Sequence, residues 1–406
     1  MIDVSKIRED FPMLRNQRDL IYFDNGATTL KPQCVIDAVT SFYTTHTSNV
    51  HRGDYAIAAT NNQLYDGARA SFARLLNCDD REIVFTHNAS ASMNQVAYGL
   101  AHGILKKGDV ILTTEAEHAS NLLPWFRLEK ELGIEIRYLP MDSQANLDLA
   151  AAKELFTPEV RAVCAAMVTN VLGSVLPIRQ LTELAHGIGA LMIVDGAQAV
   201  PHMPVDVRDL DIDFLIFSAH KMCGPGGVGI LYGKYDLLEQ MEPMLMGGDM
   251  NARFYKDGSF ELKHAPGKFE AGTPNIEGVI GAAKACDYLL SIGLDEIHEY
   301  EKELRAHLLA NMQKLANIRI YNPDNIYGPL TFNAEGVFSQ DAAGYLASRN
   351  IAVRSGNHCA KILHEITGTD STIRASLYFY NTMEEADRFA EACADITLEN
   401  AIGIFF

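Results

Sequence analysis

The seven cysteines, Cys34, Cys78, Cys164, Cys223, Cys286, Cys359 and Cys393, are odd in number, scattered and never spaced as CxxC. That excludes a disulfide framework and a zinc site built on paired cysteines, and no metal centre is expected. Basic residues are also few. Lys and Arg number 34 against 52 Asp and Glu, a formal net charge of −18. Nucleic-acid binding wants a basic surface, so that class is excluded. No apolar run is long enough to span a bilayer. Met1–Arg8 is polar and mixed in charge, without the apolar stretch of a secretory signal. The expected compartment is the cytoplasm, where a reactive thiol stays reduced. Repeats and low-complexity stretches are absent as well. What remains is an ordinary globular composition, 48% hydrophobic and 21% charged over 406 residues, long enough for a large core and two domains.

The chain is organised around Phe214–Tyr232, FLIFSAHKMCGPGGVGILY. Phe214 to Phe217 is an apolar run that reads as a buried strand. Ser218, Ala219, His220 and Lys221 follow it, and Gly224 to Gly227 force a turn into a second strand, Val228–Tyr232. Lys221 is thus tethered between two ordered segments, where a lysine can lose solvation and act as an amine nucleophile or base. An isolated lysine in such a loop is more often a surface residue. Upstream, Leu191–Val194 is another apolar strand, ending in Asp195 and followed by Gly196, Ala197 and Gln198. An acid at the end of a buried parallel strand lies where open α/β sheets bind ligands. Asp195 alone could be only a helix N-cap. Together with Lys221 it fits the two requirements of a pyridoxal phosphate site, a lysine for the Schiff base and an acid for the pyridinium nitrogen.

Taken in order, Val4–Leu14 reads as a short amphipathic helix broken near Pro12. Ile21–Phe23 is a strand entering a turn at Asp24–Gly26, and Asn49–Asp54 is a loop. From Glu82 strand and helix alternate. Strands are expected at Ile83–Phe85, Asp109–Thr113, Ile134–Leu139 and Ala162–Val168, with helices at Leu147–Leu155 and Leu181–Ile188. Thr86 to Ser92 is small and polar and opens a helix running through Leu105. Such an N-terminus is a natural phosphate seat, although taken alone the stretch is better explained by plain capping by Asn88 or Ser90. The alternation implies a mostly parallel, doubly wound sheet. Past Tyr232 the pattern changes. Met241–Gly272 reads as irregular, Ile276–Leu290 and Leu294–Leu315 as long helices, Ile373–Phe379 as a strand and Glu384–Asn400 as a final helix.

Eight motifs point in one direction: HRG at His51, EHxxNxxPW from Glu117 to Trp125, TNVLG at Thr169 and VDGAQAV at Val194. They continue with FSxHKxxGPxGxGILY at Phe217, FEAGTPN at Phe269, IAVRSGNHCA at Ile351 and RASLYFYNT at Arg374. On these the chain, from about Ile7 to Phe389, resembles the Suf-type (group II) cysteine desulfurases, pyridoxal-phosphate enzymes of the class V aminotransferase type. The resemblance implies the α/β fold of type I pyridoxal-phosphate transferases. It also implies three parts: an N-terminal segment (1–20) packing with the small domain, a large cofactor domain (21–262) with a mostly parallel doubly wound sheet, and a smaller α+β C-terminal domain (263–406) carrying the catalytic cysteine loop.

Roles follow by matched position. Lys221 is expected to hold the cofactor as a Schiff base, Asp195 to pair with its ring nitrogen, Gln198 to reach its phenolic oxygen, and His118 to stack on the ring and help move protons. Ser90, Ser218 and His220, with main-chain N–H groups near Ala89, are expected to hold the phosphate. Thr273 is expected to reach the phosphate of a neighbouring subunit, which implies a homodimer. Arg374 is expected to clamp the substrate carboxylate through its planar fork, with Asn170 assisting and Arg354 lining the same cleft. Cys359 is the expected nucleophile. It follows a strand and lies beside His358 in a loop, where a thiol can be exposed and partly ionised. Cys223, two residues after Lys221, is the rival and reads as a local substitution. The chain departs from the family pattern at Ala89, Ala119, Asn357, Lys361 and Ile362.

The implied activity converts L-cysteine to L-alanine and leaves the sulfur on Cys359 as a persulfide. The persulfide would pass to an acceptor protein for iron–sulfur cluster assembly. L-selenocysteine lyase activity, or another class V aminotransferase or lyase reaction, is the alternative.

Overall fold

The computed structural model describes residues 2–51 and 53–403. Arg52 of the HRG motif lies outside them. Seven strands form one sheet in the order Ile83–Thr86, Gly229–Gly233, Phe214–Ser218, Leu191–Asp195, Val160–Ala166, Val110–Thr113, Glu135–Tyr138. The last five run parallel to one another. Gly229–Gly233 is antiparallel to both of its neighbours, because the glycine-rich turn sends the chain straight back beside the strand it has just left.

Successive strand side chains point to opposite faces, and the two faces bury different residues. Phe85, Val110, Leu112, Val163, Val194, Leu215 and Phe217 join one core with Phe72 and Leu76 of the helix Ala56–Leu76 and Val279 of the helix Ile276–Ile292. Val84, Ile111, Cys164, Ile193, Phe214 and Ile216 join the other with Met93, Val96 and Leu100 of the helix Ala89–Gly103, and with Trp125. A parallel sheet covered on both faces needs apolar residues at every position, which is why these strands read as continuous runs.

A second sheet is antiparallel, in the order Ile318–Ile320, Leu330–Ala334, Thr372–Ala375, Arg354–Gly356. Phe332 and Ile373 on it pack with Leu304 and Leu308 of the helix Leu294–Met312 and Phe389 of the helix Met383–Ala394. The N-terminal chain joins this body. Ile21 and Tyr22 pair in parallel with Ile351 and Ala352, and Asp24 bridges Ser376. Earlier residues touch both bodies: Phe11 and Leu14 belong to the core of the parallel sheet, and Arg8 pairs with Glu385 at 2.9 Å.

Five local expectations change. Val4–Leu14 is two helices, Val4–Glu9 and Pro12–Asn16, the second opened by Pro12, whose missing N–H costs nothing at that position. Leu147–Leu155 shortens to the helix Leu149–Ala152 and a 3₁₀ turn. Met241–Gly272 contains an antiparallel hairpin, Asn251–Phe254 with Phe260–Leu262. The final helix is interrupted after Ala394 and restarts at Leu398, where the Thr397 hydroxyl accepts from the Asn400 N–H. The strand expected over Ile373–Phe379 ends at Ala375, and Tyr378, Phe379 and Tyr380 beyond it pack as an aromatic cluster.

Phe332 is fully buried and Phe338 is 60% exposed. Phe332→Ala is therefore expected to cost about 3–5 kcal/mol and Phe338→Ala less than about 0.5 kcal/mol. Urea denaturation of the two variants compares them directly.

Candidate active site

Parallel strands bring their carboxyl ends, and the polar residues that follow, to one edge of the sheet. Leu191–Asp195 and Phe214–Ser218 are neighbours there, with Asp195 paired to Ile216. Asp195 is buried and its Oδ1 accepts the Ala197 N–H at 2.9 Å. Burial raises its pKa above the usual carboxylate value. A 3₁₀ turn, Ala219–Lys221, carries Lys221 back over the same edge. Burial lowers its ammonium pKa to about 8, partly offset by the attraction of Asp195. An amine in that range is available as a base near neutral pH.

Gly229 makes room for the next wall. A Cβ there would collide with the carbonyl carbon of Asn88 and the hydroxyl of Thr86. Its absence lets the N-terminus of Ala89–Gly103 approach the strand ends. Asn88 caps that helix, accepting from the Ala91 N–H at 2.9 Å. The Ala89 N–H donates to Ser218 Oγ at 2.8 Å, and Ser90 Oγ lies 2.6 Å from Ser120 Oγ. Ser218 accepts there and keeps its own proton to donate. Helix N-terminus, serine hydroxyls and the half-buried His220 make a seat suited to a phosphate dianion. Burial, with Lys221 and Lys31 nearby, lowers the His220 pKa to about 4.

His118 forms the side of the cleft. Its Nδ1 accepts the Ser120 N–H at 3.1 Å, so in the neutral ring the proton sits on Nε2. Burial, then the charges of Lys221 and Arg374, lowers its pKa to about 4. The turn is pinned by its neighbour Glu117, which is buried and accepts from Thr114 Oγ1 at 2.6 Å, Asn121 Nδ2 at 2.7 Å and the Ala166 N–H at 3.0 Å. Burial pushes its carboxyl up to about 7. Gln198 Nε2 donates to the Gly26 carbonyl at 2.9 Å.

The antiparallel sheet supplies the opposite wall. Arg374 is almost fully buried. Its Nη1 donates to the Asn170 carbonyl at 2.9 Å, while its Nε has no protein partner. Burial lowers its pKa to about 10. A buried guanidinium with an idle donor is an anion site. Arg354, half-exposed, forks onto Asp24. Cys359 is exposed. It and His358 are both left-handed, at φ 59° and 51°. Their carbonyls are held from outside the turn, that of His358 by Asn170 Nδ2 at 2.8 Å and that of Cys359 by the Ala119 N–H at 2.7 Å. The His358 ring packs onto Thr372, 3.0 Å from Oγ1, and burial lowers its pKa to about 3. The cationic side chains whose charges interact with Cys359 are Arg354, Arg374 and Lys221.

Lys221, Asp195, Gln198, His118, Ala89, Ser90, Ser218, His220, Asn170, Arg374, Arg354 and Cys359 line one cleft of about 290 Å³. Thr273 does not. It is exposed, accepts from Asn49 Nδ2 at 3.4 Å and lines a separate hollow of about 100 Å³. Cys223 is buried, with its thiol pushed up to about 12 by burial, and does not open on the cleft. Sequence reasoning missed two residues. Glu117 stood inside the EHxxN motif, so a signal was present. Asp24 read only as part of a turn. The amine, the buried acid, the helix terminus with its serines and the neutral histidine all fit pyridoxal phosphate.

The buried His358 has a stability consequence. Its imidazole titrates near 6.5 when unfolded and near 3 when folded, so across that window only the unfolded chain takes up the proton. Stability should fall as pH drops below about 6.5. His358→Gln is expected to remove about 2 kcal/mol of the loss between pH 7 and pH 5, from roughly 1.5 pKa units at 1.36 kcal/mol each. Urea denaturation at the two pH values measures it.

The aminotransferase class-V family model matches residues 21–389. A probable cysteine desulfurase of Synechocystis is 39% identical over 95% of this chain and 94% of its own. A cysteine desulfurase of Haloferax volcanii is 39% identical over 96% of both. Among solved structures, the apo cysteine desulfurase of Thermococcus onnurineus superposes with a TM-score of 0.93 at 37% identity, covering 97% of this chain and 98% of that one. A cysteine desulfurase of Escherichia coli gives 0.91 at 36%, covering 100% and 99%. With a type I pyridoxal-phosphate fold and a complete cleft for that cofactor, the chain belongs to the class-V aminotransferase family, among its cysteine desulfurases.

Proposed function

We propose that the protein is a pyridoxal-phosphate-dependent cysteine desulfurase that moves sulfur from L-cysteine to Cys359 and releases L-alanine. One observation carries the reading. An exposed cysteine stands in the same cleft as a lysine and an acid suited to that cofactor, with a partly idle buried arginine beside them.

When bound, pyridoxal phosphate supplies an electron sink conjugated to the substrate Cα. Lys221 would hold it covalently, Asp195 its ring nitrogen, Gln198 its phenolic oxygen, and Ser90, Ser218, His220 and the Ala89 turn its phosphate. Arg374 would receive the substrate carboxylate through the buried Nε that the protein leaves open, assisted by Asn170, whose Nδ2 also donates to the His358 carbonyl. Lys221 would take the proton from Cα. His118, neutral and protonated on Nε2, relays protons at the same centre. The Cys359 thiolate then attacks the substrate sulfur. A sulfur–sulfur bond forms, the carbon–sulfur bond breaks, and its electron pair stays with carbon, which takes up a proton. L-cysteine and one thiol become L-alanine and one persulfide, so no outside oxidant is needed.

An acceptor protein of an iron–sulfur assembly system would take the persulfide. Such thiol chemistry suits the reducing cytoplasm. Among the described residues no helix is long and apolar enough to cross a membrane. The working form would be a homodimer in which Thr273 of each subunit serves the other's phosphate seat. Its position outside its own subunit's cleft supports that arrangement.

Two tests follow. Cys359→Ser is expected to lower alanine formation from L-cysteine by at least about a hundredfold while the protein stays yellow, and Lys221→Ala to lose both the turnover and the borohydride-fixable cofactor. Undiminished turnover in Cys359→Ser would sink the assignment, and running L-selenocysteine in parallel separates the lyase alternative. Sedimentation should give twice the 44.8 kDa chain mass, with Thr273→Ala weakening cofactor retention in the dimer. A monomer that binds the cofactor as tightly would remove the proposed role of Thr273.

A further inference from the structure

The carbonyl of His220 belongs to the peptide that carries the Lys221 nitrogen, so its partners fix the plane from which the Lys221 side chain departs. In the turn Ala219–Lys221 the Ala219 carbonyl is held from within, by the N–H groups of Met222 and Gly224, each at 2.9 Å. A continuing 3₁₀ turn would bring the Cys223 N–H onto the next carbonyl, that of His220. Cys223 is left-handed instead, at φ 63°, and its N–H goes to Thr29 Oγ1 at 2.8 Å. The His220 oxygen is left to donors from near the start of the chain. The Thr29 N–H reaches it at 3.0 Å, Thr28 Oγ1 at 3.1 Å, Thr29 Oγ1 at 3.2 Å and Lys31 Nζ at 3.1 Å. Lys31 is half-buried. Its ammonium also donates to the Thr29 carbonyl and lies 3.4 Å from Thr28 Oγ1. Among the described residues no carboxylate pairs with it. A cation drawn out of water to serve carbonyls is costly, and a charged donor makes the firmest of the four bonds to His220.

We propose that Lys31 is a positioning residue for Lys221, its ammonium fixing the His220–Lys221 peptide so that the Lys221 amine faces the aldehyde carbon of pyridoxal phosphate. The inference rests on the proposed role of Lys221 and deepens it. Lys31 is not among the residues that line the cleft, so it acts on the cofactor through that peptide and not by contact. Condensation of an amine with an aldehyde needs a close, aligned approach, and a supporting hydrogen bond behind the reacting side chain supplies the alignment. Residues 24–31 also meet the opposite wall, where the Gly26 N–H donates to Ser376 Oγ at 2.8 Å. The amine is thereby set in register with the strand that bears Arg374.

The test removes the cofactor from the purified holoenzyme and adds back pyridoxal 5′-phosphate or pyridoxamine 5′-phosphate. The two share ring and phosphate, but only the first has an aldehyde to condense with Lys221. Calorimetric titration gives each Kd. In Lys31→Met the ratio of the pyridoxamine phosphate Kd to the pyridoxal phosphate Kd is expected to fall at least about tenfold, the scale of one lost charged hydrogen bond. Lys31→Arg, which keeps a cationic donor, should stay within about threefold of the wild-type ratio, since the bond it restores is of the same charged kind. Lys31→Gln replaces Lys31→Met if the latter does not fold. An unchanged ratio in the neutral variants, or an equal fall in Lys31→Arg, overturns the proposal. A merely structural role, or one exerted on the phosphate, would weaken both cofactor forms together and leave the ratio where it was. A wild-type protein in which borohydride fixes no pyridoxal phosphate on Lys221 would instead overturn the role of Lys221 itself, and that of Lys31 with it.

Discussion

The site exists because six residues near the start of the chain tie the two sheets together. Ile21 and Tyr22 add a short parallel pairing beside the antiparallel sheet. Asn25 donates to the Ser376 carbonyl at 2.9 Å and to Asn381, and accepts from the Tyr380 hydroxyl. Gly26 gives its N–H to Ser376 Oγ at 2.8 Å and its carbonyl to Gln198 of the parallel sheet. A Cβ at Gly26 would lie 3.2 Å from the Arg374 guanidinium, so a side chain would press on the group reserved for the carboxylate. The relative placement of Asp195 and Lys221 on one wall and Arg374 and Cys359 on the other therefore depends on this junction. None of its bonds is strong by itself, but each is buried or half-buried, where an unmade partner is costly.

Around that junction the cleft handles charge in two ways. The histidines are kept neutral by burial beside cations, so they can donate and accept without adding to an already positive wall. The carboxylates are kept where donors converge. Glu117 is the clearest case. Trp125 Nε1 donates to Cys164 Sγ, the Cys164 thiol to Asn121 Oδ1, and the Asn121 amide to Glu117. Every proton in that chain points toward the acid, which gives a buried carboxyl a full set of donors and locks the turn that presents His118.

Much of this was legible in the sequence, for physical reasons. Buried parallel strands need unbroken apolar runs, so Leu191–Val194 and Phe214–Phe217 declared themselves, and the polar residues at their ends marked the ligand edge. The motifs located the cleft residues. The hairpin at Asn251–Leu262 left no such trace, because most of its side chains are exposed and no alternation with a buried face exists to be read. Asp24 escaped for another reason. Asp-Asn-Gly signals a turn locally, whereas its ion pairs are with arginines more than 300 residues away. Glu117 needs the main chain of Ala166, and neither partner hints at the other. The expectation that His358 would sit beside the thiol as an activating neighbour came from adjacency along the chain. Two left-handed residues in succession separate the paths of the two side chains instead.

That turn also limits mechanical reach. The sulfur of Cys359 rides on a segment whose two carbonyls are fastened to separate walls, one through Asn170 and one through Ala119, and whose histidine is wedged against Thr372. Swinging it outward would break three hydrogen bonds in poorly hydrated surroundings. Cys359 is thus a stationary dock rather than an arm.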